Sequence, residues 1–405
     1  MNPLKENSQT SAAGLAKPHL ASEEMDIIQQ RRSRLGTQIQ PVKELNYGEK
    51  ELTIKGVKAW IVREPVSEGT YTVIKIETGT GISGYGECAE LSLSEFTEAK
   101  KIITGIPATS FEAILPMLKN CPTARAGLNI AMLDIAGKLS VVPVYQILGG
   151  PTRYKVRAFA MLKGDSDEDL LISMKKAQSS GYRAFMVPVP ALKNQNQGQS
   201  YVLSTLKRLE SLRSAGGENV DFILDGKNSL NPGDAQMISA AIEKFHVLWF
   251  NEPCAVSNLG TIKKLAAENV TPVGSGRFVR EGGEIQDMLR EDAVDIIRPD
   301  IGLNGISQIR RMAAIAEIYY VAVGPSHYGG PVGTAAAFQL AASIPNFFIQ
   351  QIPFPEAEED RRMRLELTTA PVEVLKEGFA DLPVTPGLGI EVNEKSLEKY
   401  SITSF

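Results

Sequence analysis

Three apolar runs, each closed by a polar residue, recur at a fixed interval near the middle of the chain. They are Asp221-Phe222-Ile223-Leu224-Asp225, Val247-Leu248-Trp249-Phe250-Asn251 and Pro272-Val273-Gly274-Ser275-Gly276-Arg277. The closing residues stand 26 positions apart (251 − 225 = 26 and 277 − 251 = 26). That interval holds one strand, one helix and two short loops, the repeating unit of a parallel β/α array. Asp225, Asn251 and Arg277 are therefore expected side by side at the carboxyl ends of three neighbouring strands. In a (β/α)8 barrel that rim carries the chemistry.

Extending the array in both directions gives eight expected strands: Val156–Met161, Ala184–Val189, Phe222–Asp225, Val247–Asn251, Val273–Gly276, Asp295–Arg298, Val321–Gly324 and Phe347–Gln350. Amphipathic stretches between them, including Asp167–Ser179, Tyr201–Ser214, Asp234–Lys244 and Ser307–Glu317, read as helices, so residues 155–370 count out one TIM-type barrel. Residues 49–154 have a different pattern. Alternation over Thr53–Val62 and Tyr71–Thr78, and a glycine-rich turn into a third strand, precede helices expected at Ser94–Ile103, Ser110–Leu118, Ala124–Leu139 and from Pro143. This is an α+β capping domain. Residues 371–405 are too rich in turn signals for another β/α unit and are expected to return to the cap. Residues 1–48, polar and aperiodic, read as a peripheral or poorly ordered extension.

A formal net charge of −4 gives no basic field, so neither nucleic acid nor an anionic membrane surface is an expected partner. No apolar run is long enough to span a bilayer. Arg31-Arg32-Ser33-Arg34 is followed by polar residues rather than an apolar segment, and reads as a solvated patch instead of an export signal. The three cysteines, Cys88, Cys121 and Cys254, have no metal-ligand spacing and form no even framework, which points to a reducing, cytoplasmic compartment.

Motifs far apart in the chain resemble the mandelate racemase and muconate lactonizing enzyme subgroup of the enolase superfamily. They are Asp134-Ile135-Ala136-Gly137-Lys138 with Leu148-Gly149, then Asp225 with Asn251-Glu252-Pro253, then Asp300, Gly305 and Ser326-His327, and last Pro386-Gly387-Leu388-Gly389. The resemblance spans about Leu52 to Tyr400. It implies a capped barrel, homo-oligomer formation, and removal of the proton next to the carboxylate of a small substrate. It also implies Mg2+ on three strand-end carboxylates, which spreads the enediolate charge while a Lys or His takes the proton.

This sequence departs from that pattern at the site itself. Asp225 matches the first metal ligand, but Asn251 and Arg277 stand where the resemblance implies two Glu, and Lys227 replaces an Asn. A guanidinium beside a dication is repelled by several kcal/mol even at an effective dielectric of about 20, so no metal cofactor is expected. Glu252 is a poor substitute ligand, because alternation along the strand turns it to the other face. Met186-Val187-Pro188 offers no Lys-x-Lys base, and Gln351 replaces a Glu on the eighth strand. His327 with Asp300 remains as the implied catalytic pair, the carboxylate orienting the imidazole. Arg277, Lys227, Asn251 and Gln351 are the expected substrate-binding residues. Plainer readings stand beside these: Asp300 as a helix cap, Arg277 as an internal ion pair with Asp225, and His19 and His246 as structural. Two functions follow. One is a dehydratase or isomerase of a sugar acid or other small carboxylate, with Arg277 and Lys227 replacing the metal charge. The other is a catalytically silent ligand-binding or scaffolding protein.

Overall fold

The computed structural model describes residues 52–191, 198–280 and 282–405. The N-terminal extension, His19 and the Arg31–Arg34 patch lie outside the described residues. The cap opens with an antiparallel sheet of β1 (Ile54–Arg63), β2 (Thr70–Thr78) and β3 (Ser83–Cys88), with Trp60 opposite Val73 and Ile74 opposite Gly86. Helix Pro122–Leu139 lies against this sheet with most of its residues buried. Two glycines of β3 permit that approach: a Cβ at Gly84 would fall 2.2 Å from the Ala131 carbonyl, and one at Gly86 would fall 2.0 Å from the Gly127 carbonyl. The other side of the helix meets helix Ile301–Ile318 of the barrel, where Asn129 donates to Ser307 Oγ at 2.9 Å.

Among the described residues, eight parallel strands then alternate with eight helices. They are β4 (Lys155–Met161), β5 (Ala184–Pro188), β6 (Asp221–Asp225), β7 (Phe250–Asn251), β8 (Val273–Ser275), β9 (Ile296–Ile297), β10 (Ala322–Val323) and β11 (Gln350–Gln351). Neighbours pair in the order β10-β9-β8-β7-β6-β5-β4-β11, and a parallel bridge between Val323 and Phe347 closes the ring. Asp225 and Asn251 are direct cross-strand partners, as the interval of 26 requires. Several ladders are shorter than their apolar runs. Asp295–Arg298 keeps only Ile296 and Ile297 in the ladder, with Asp295 N and Arg298 N bonding singly to Val273 O and Ser275 O. Tilted barrel strands hold ladder geometry only where both neighbours align.

Helix Asp167–Ser179 has the expected bounds, fixed by a reciprocal capping box between Ser166 and Asp169. Ser110–Leu118 contracts to Ile114–Met117, because Pro116 has no N–H with which to continue a helix from upstream. The C-terminal segment returns in two steps. β12 (Phe379–Asp381) first pairs antiparallel with β4 of the barrel, and β13 (Ser401–Ser404) then pairs antiparallel with β1 of the cap. Between them Gly387, at φ 74°, presses against Asp134, whose carboxylate accepts from Leu388 N at 2.8 Å, Tyr85 N at 2.9 Å and Lys138 Nζ at 2.6 Å. The two distant motifs of the cap are thus one hydrogen-bonded unit. No helix among the described residues is long and apolar enough to cross a membrane.

Candidate active site

The carboxyl ends of β4, β6 and β8, with the loop after β10, surround a recess of about 300 Å³ lined by Met161, Asp225, Lys227, Arg277, Phe278 and Tyr328. Asp225 is buried at its floor. One carboxylate oxygen accepts from Asn251 Nδ2 at 2.8 Å and from Lys227 N at 3.2 Å, and the other accepts from Arg277 Nη1 at 3.2 Å. The internal ion pair of the plainer reading is therefore formed. Arg277 Nη1 also donates to the Tyr328 hydroxyl at 3.3 Å, and Arg277 Nε has no partner among the described residues. Lys227, held at φ 56° by the sharp turn after β6, leaves its ammonium exposed and outside every ion pair of the described residues.

The expected His327–Asp300 pair is not brought together. Asp300 caps helix Ile301–Ile318 by accepting from Leu303 N at 3.1 Å, and its second oxygen accepts from Ser326 Oγ at 3.2 Å. His327 turns toward the cap, where Nε2 donates to the Gly330 carbonyl at 2.9 Å and stands 4.0 Å from Glu87 Oε1. The reason is the glycine run that follows: Glu87 accepts from Gly330 N at 2.5 Å and Gly333 N at 3.0 Å, so a cap carboxylate occupies the space beside the imidazole. Burial pushes His327 down to about 4, against the pull of its Gly330 bond, and lifts Asp300 to about 7 and Glu87 to about 8.

Asn251 and Gln351 are also withdrawn from the recess. Both are buried and bonded to Arg298, a fully buried side chain inside the barrel. Of the four expected substrate-binding residues, Arg277 and Lys227 line the recess and the other two support it. Three residues were not anticipated from sequence: Arg298, Tyr328 and Glu87. Arg298 carried a usable signal, because a permanent cation two residues before Asp300, at the end of an apolar strand, must point into the barrel or into its wall. His246, by contrast, sits exposed at a left-handed turn far from this chemistry.

The residues at the three strand ends do not fit a divalent cation. Only Asp225 offers an anionic oxygen, and its oxygens already accept from an amide, a backbone N–H and a guanidinium. Glu252 faces away, as strand alternation requires, and accepts from Ser275 Oγ at 2.8 Å, Gly276 N at 3.0 Å and Arg277 N at 2.9 Å. No cluster of three or more His, Cys, Asp or Glu side chains suited to a metal ion occurs among the described residues.

Comparison with known proteins agrees with this architecture over most of the chain. Residues 53–149 match the family model described as the mandelate racemase / muconate lactonizing enzyme N-terminal domain, and residues 170–396 match the enolase C-terminal domain-like model. A D-xylonate dehydratase of Haloferax volcanii is 27% identical over 69% of this chain and 70% of its own length. A D-galactonate dehydratase of Ralstonia pickettii is 27% identical over 79% of this chain and 88% of its own. The crystal structure of a mandelate racemase/muconate lactonizing enzyme-like protein from Rubrobacter xylanophilus superposes with a TM-score of 0.77 at 22% identity, covering 87% of this chain and 98% of that one. This chain belongs to the mandelate racemase and muconate lactonizing enzyme group of the enolase superfamily.

Proposed function

We propose that this protein carries out dehydratase- or isomerase-type proton transfer on a small sugar-acid carboxylate, held at the barrel mouth by Arg277 and Lys227 instead of a metal ion. The observation that supports this most is the recess itself, which sets two cationic side chains beside a single buried carboxylate. A substrate carboxylate there would meet the Lys227 ammonium, which forms no ion pair among the described residues, and the Arg277 side chain that lines the recess. As the neighbouring proton leaves, charge moves onto the carboxylate oxygens as an enediolate, and fixed cations favour that state over the ground state.

Tyr328 supplies the acid. Arg277 donates into its oxygen, which leaves the phenol proton free to point at a leaving hydroxyl. Burial raises its pKa against the opposing pull of Arg277 and Arg298, so it keeps that proton at neutral pH. His327, one residue earlier, is the neutral base, and it reaches the mouth only by leaving the Gly330 carbonyl. Loss of the C2 proton and the C3 hydroxyl from an aldonic acid gives an enol that tautomerises to a 2-keto-3-deoxy acid. The dehydratase names of the relatives support this reaction class.

The test is turnover of D-galactonate, D-xylonate and D-mannonate by chelator-treated protein, followed as 2-keto-3-deoxy acid. Formation of product that falls with Arg277→Gln through KM, and with His327→Asn through kcat, supports the proposal. Absence of product from all three acids, with or without added Mg2+, points to the silent alternative.

A further inference from the structure

Arg298 sits in the barrel interior between the rings of Phe159 and Trp249, whose centroids lie 5.2 and 5.4 Å from its guanidinium carbon. It is fully buried and forms no salt bridge with a carboxylate among the described residues. Each of its three nitrogens donates to an oxygen: Nε to the Gly324 carbonyl at 3.0 Å, Nη1 to Asn251 Oδ1 at 2.8 Å and Nη2 to Gln351 Oε1 at 2.8 Å. A guanidinium can only donate, so both amides must turn their oxygens toward it. The indole Nε1 of Trp249, another pure donor, makes the same demand on Asn251 Oδ1 at 3.1 Å. The nitrogens then have no choice of direction. Asn251 Nδ2 donates to Asp225, while Gln351 Nε2 donates to the His327 carbonyl at 3.0 Å.

We infer that Arg298 is the positioning residue of the barrel mouth: it orients the Asn251 and Gln351 amides, and through them holds both the Asp225–Arg277 pair and the loop that carries Tyr328. One buried cation thereby sets opposite walls of the recess. Its action also explains why Asn251 meets Asp225 as a donor and not as an oxygen ligand. The arrangement belongs to the resting protein, so it holds whether or not sugar acids are turned over.

The test replaces Arg298 with Met, which matches its length and fits between the two rings without donating. Side-chain amide hydrogen exchange of the intact protein is then followed by NMR. The reference is Asn129, a buried cap amide whose nitrogen donates to Phe111 O at 3.0 Å and Ser307 Oγ at 2.9 Å, remote from Arg298. Exchange at Asn251 and Gln351 is expected to accelerate roughly tenfold or more, with Asn129 unchanged. Protection retained at either mouth amide, or equal acceleration at Asn129, would overturn the assignment, the second outcome marking a merely structural residue. Arg298→Lys keeps the charge but has no planar fork, and serves if the Met variant does not fold. At least one of the two amides should lose protection there, and protection of both would overturn the assignment.

Discussion

The guanidinium of Arg277 lies 3.2 Å from the carboxylate of Asp225, and both side chains are buried at the carboxyl ends of strands two apart in the barrel. A guanidinium thus stands against the buried strand-end carboxylate. A buried pair of this kind contributes little net stability as formed, but removing one partner strands the other.

Arg277→Met should therefore destabilise the protein by about 3 kcal/mol. Asp225 keeps its Asn251 and Lys227 donors, which holds the loss to the lower end of the usual range. Adding Asp225→Asn should recover about 1 kcal/mol of that loss, a coupling visible in urea denaturation of the single and double variants. Strict additivity would contradict the pairing.

Lys227→Met should weaken binding of a small carboxylate about tenfold, the effect of one charge-assisted hydrogen bond. Because Lys227 is exposed and outside any ion pair of the described residues, the melting temperature should stay within about 2 °C of the wild type. Calorimetric titration with D-galactonate measures the first and thermal denaturation the second.

The phenol of Tyr71 is buried with no hydrogen-bond partner among the described residues, packed against Gly330 where a Cβ would fall 2.7 Å from the hydroxyl oxygen. Tyr71→Phe should stabilise the protein by about 1 kcal/mol, since it removes an unsatisfied polar group without opening a cavity. Gly330→Ala should destabilise it by about 2 kcal/mol through overpacking against the same ring. Chemical denaturation of both variants checks the pair of signs.

Glu87 gives the sign of one pH effect. Burial raises its carboxyl to about 8 despite its Gly333 and Gly330 bonds, so between pH 4.5 and 8 the folded protein holds a proton that the unfolded chain releases. Its contribution to stability is complete below the unfolded value and is lost as pH rises toward 8. His327, lowered to about 4 by burial, works in the opposite sense between pH 4 and 6.5. Asp300, raised by burial to about 7, acts in the same sense as Glu87 up to that pH, so the window for Glu87 is pH 7 to 8, where Glu87→Gln should reduce the fall in stability seen in the wild type. An unchanged slope would contradict the burial account.

The barrel was legible because its signal is periodic. Apolar runs at an interval of 26 fix strand neighbours, and the Asp225–Asn251 register follows directly. Alternation also gave the direction of Glu252, and the charge of Arg277 gave its partner. What sequence left hidden depends on contacts between distant segments. Glu87 lies 240 positions before His327, and nothing local to either announces that β3 sets a carboxylate beside the imidazole at the start of the helix that follows (327 − 87 = 240). Asp300 is meanwhile held by Leu303 N and Ser326 Oγ. The tie between residues 64–70 and the barrel is hidden for a similar reason. Asp360 accepts from Val66 N at 2.8 Å and Ser67 N at 2.9 Å, and Arg364 donates to Glu64 at 2.6 Å, which clamps that loop to the barrel.

If the ring of strand ends keeps its geometry and differs only in charge, carboxylates restored at positions 251 and 277 should create a cation site. Isothermal titration of Mg2+ into chelator-treated protein, beside an Asn251→Glu, Arg277→Glu double variant, tests it most directly. No saturable binding is expected from the wild type and stoichiometric binding from the variant, whose strand ends would carry three carboxylates. Saturable Mg2+ binding by the wild type would contradict that expectation.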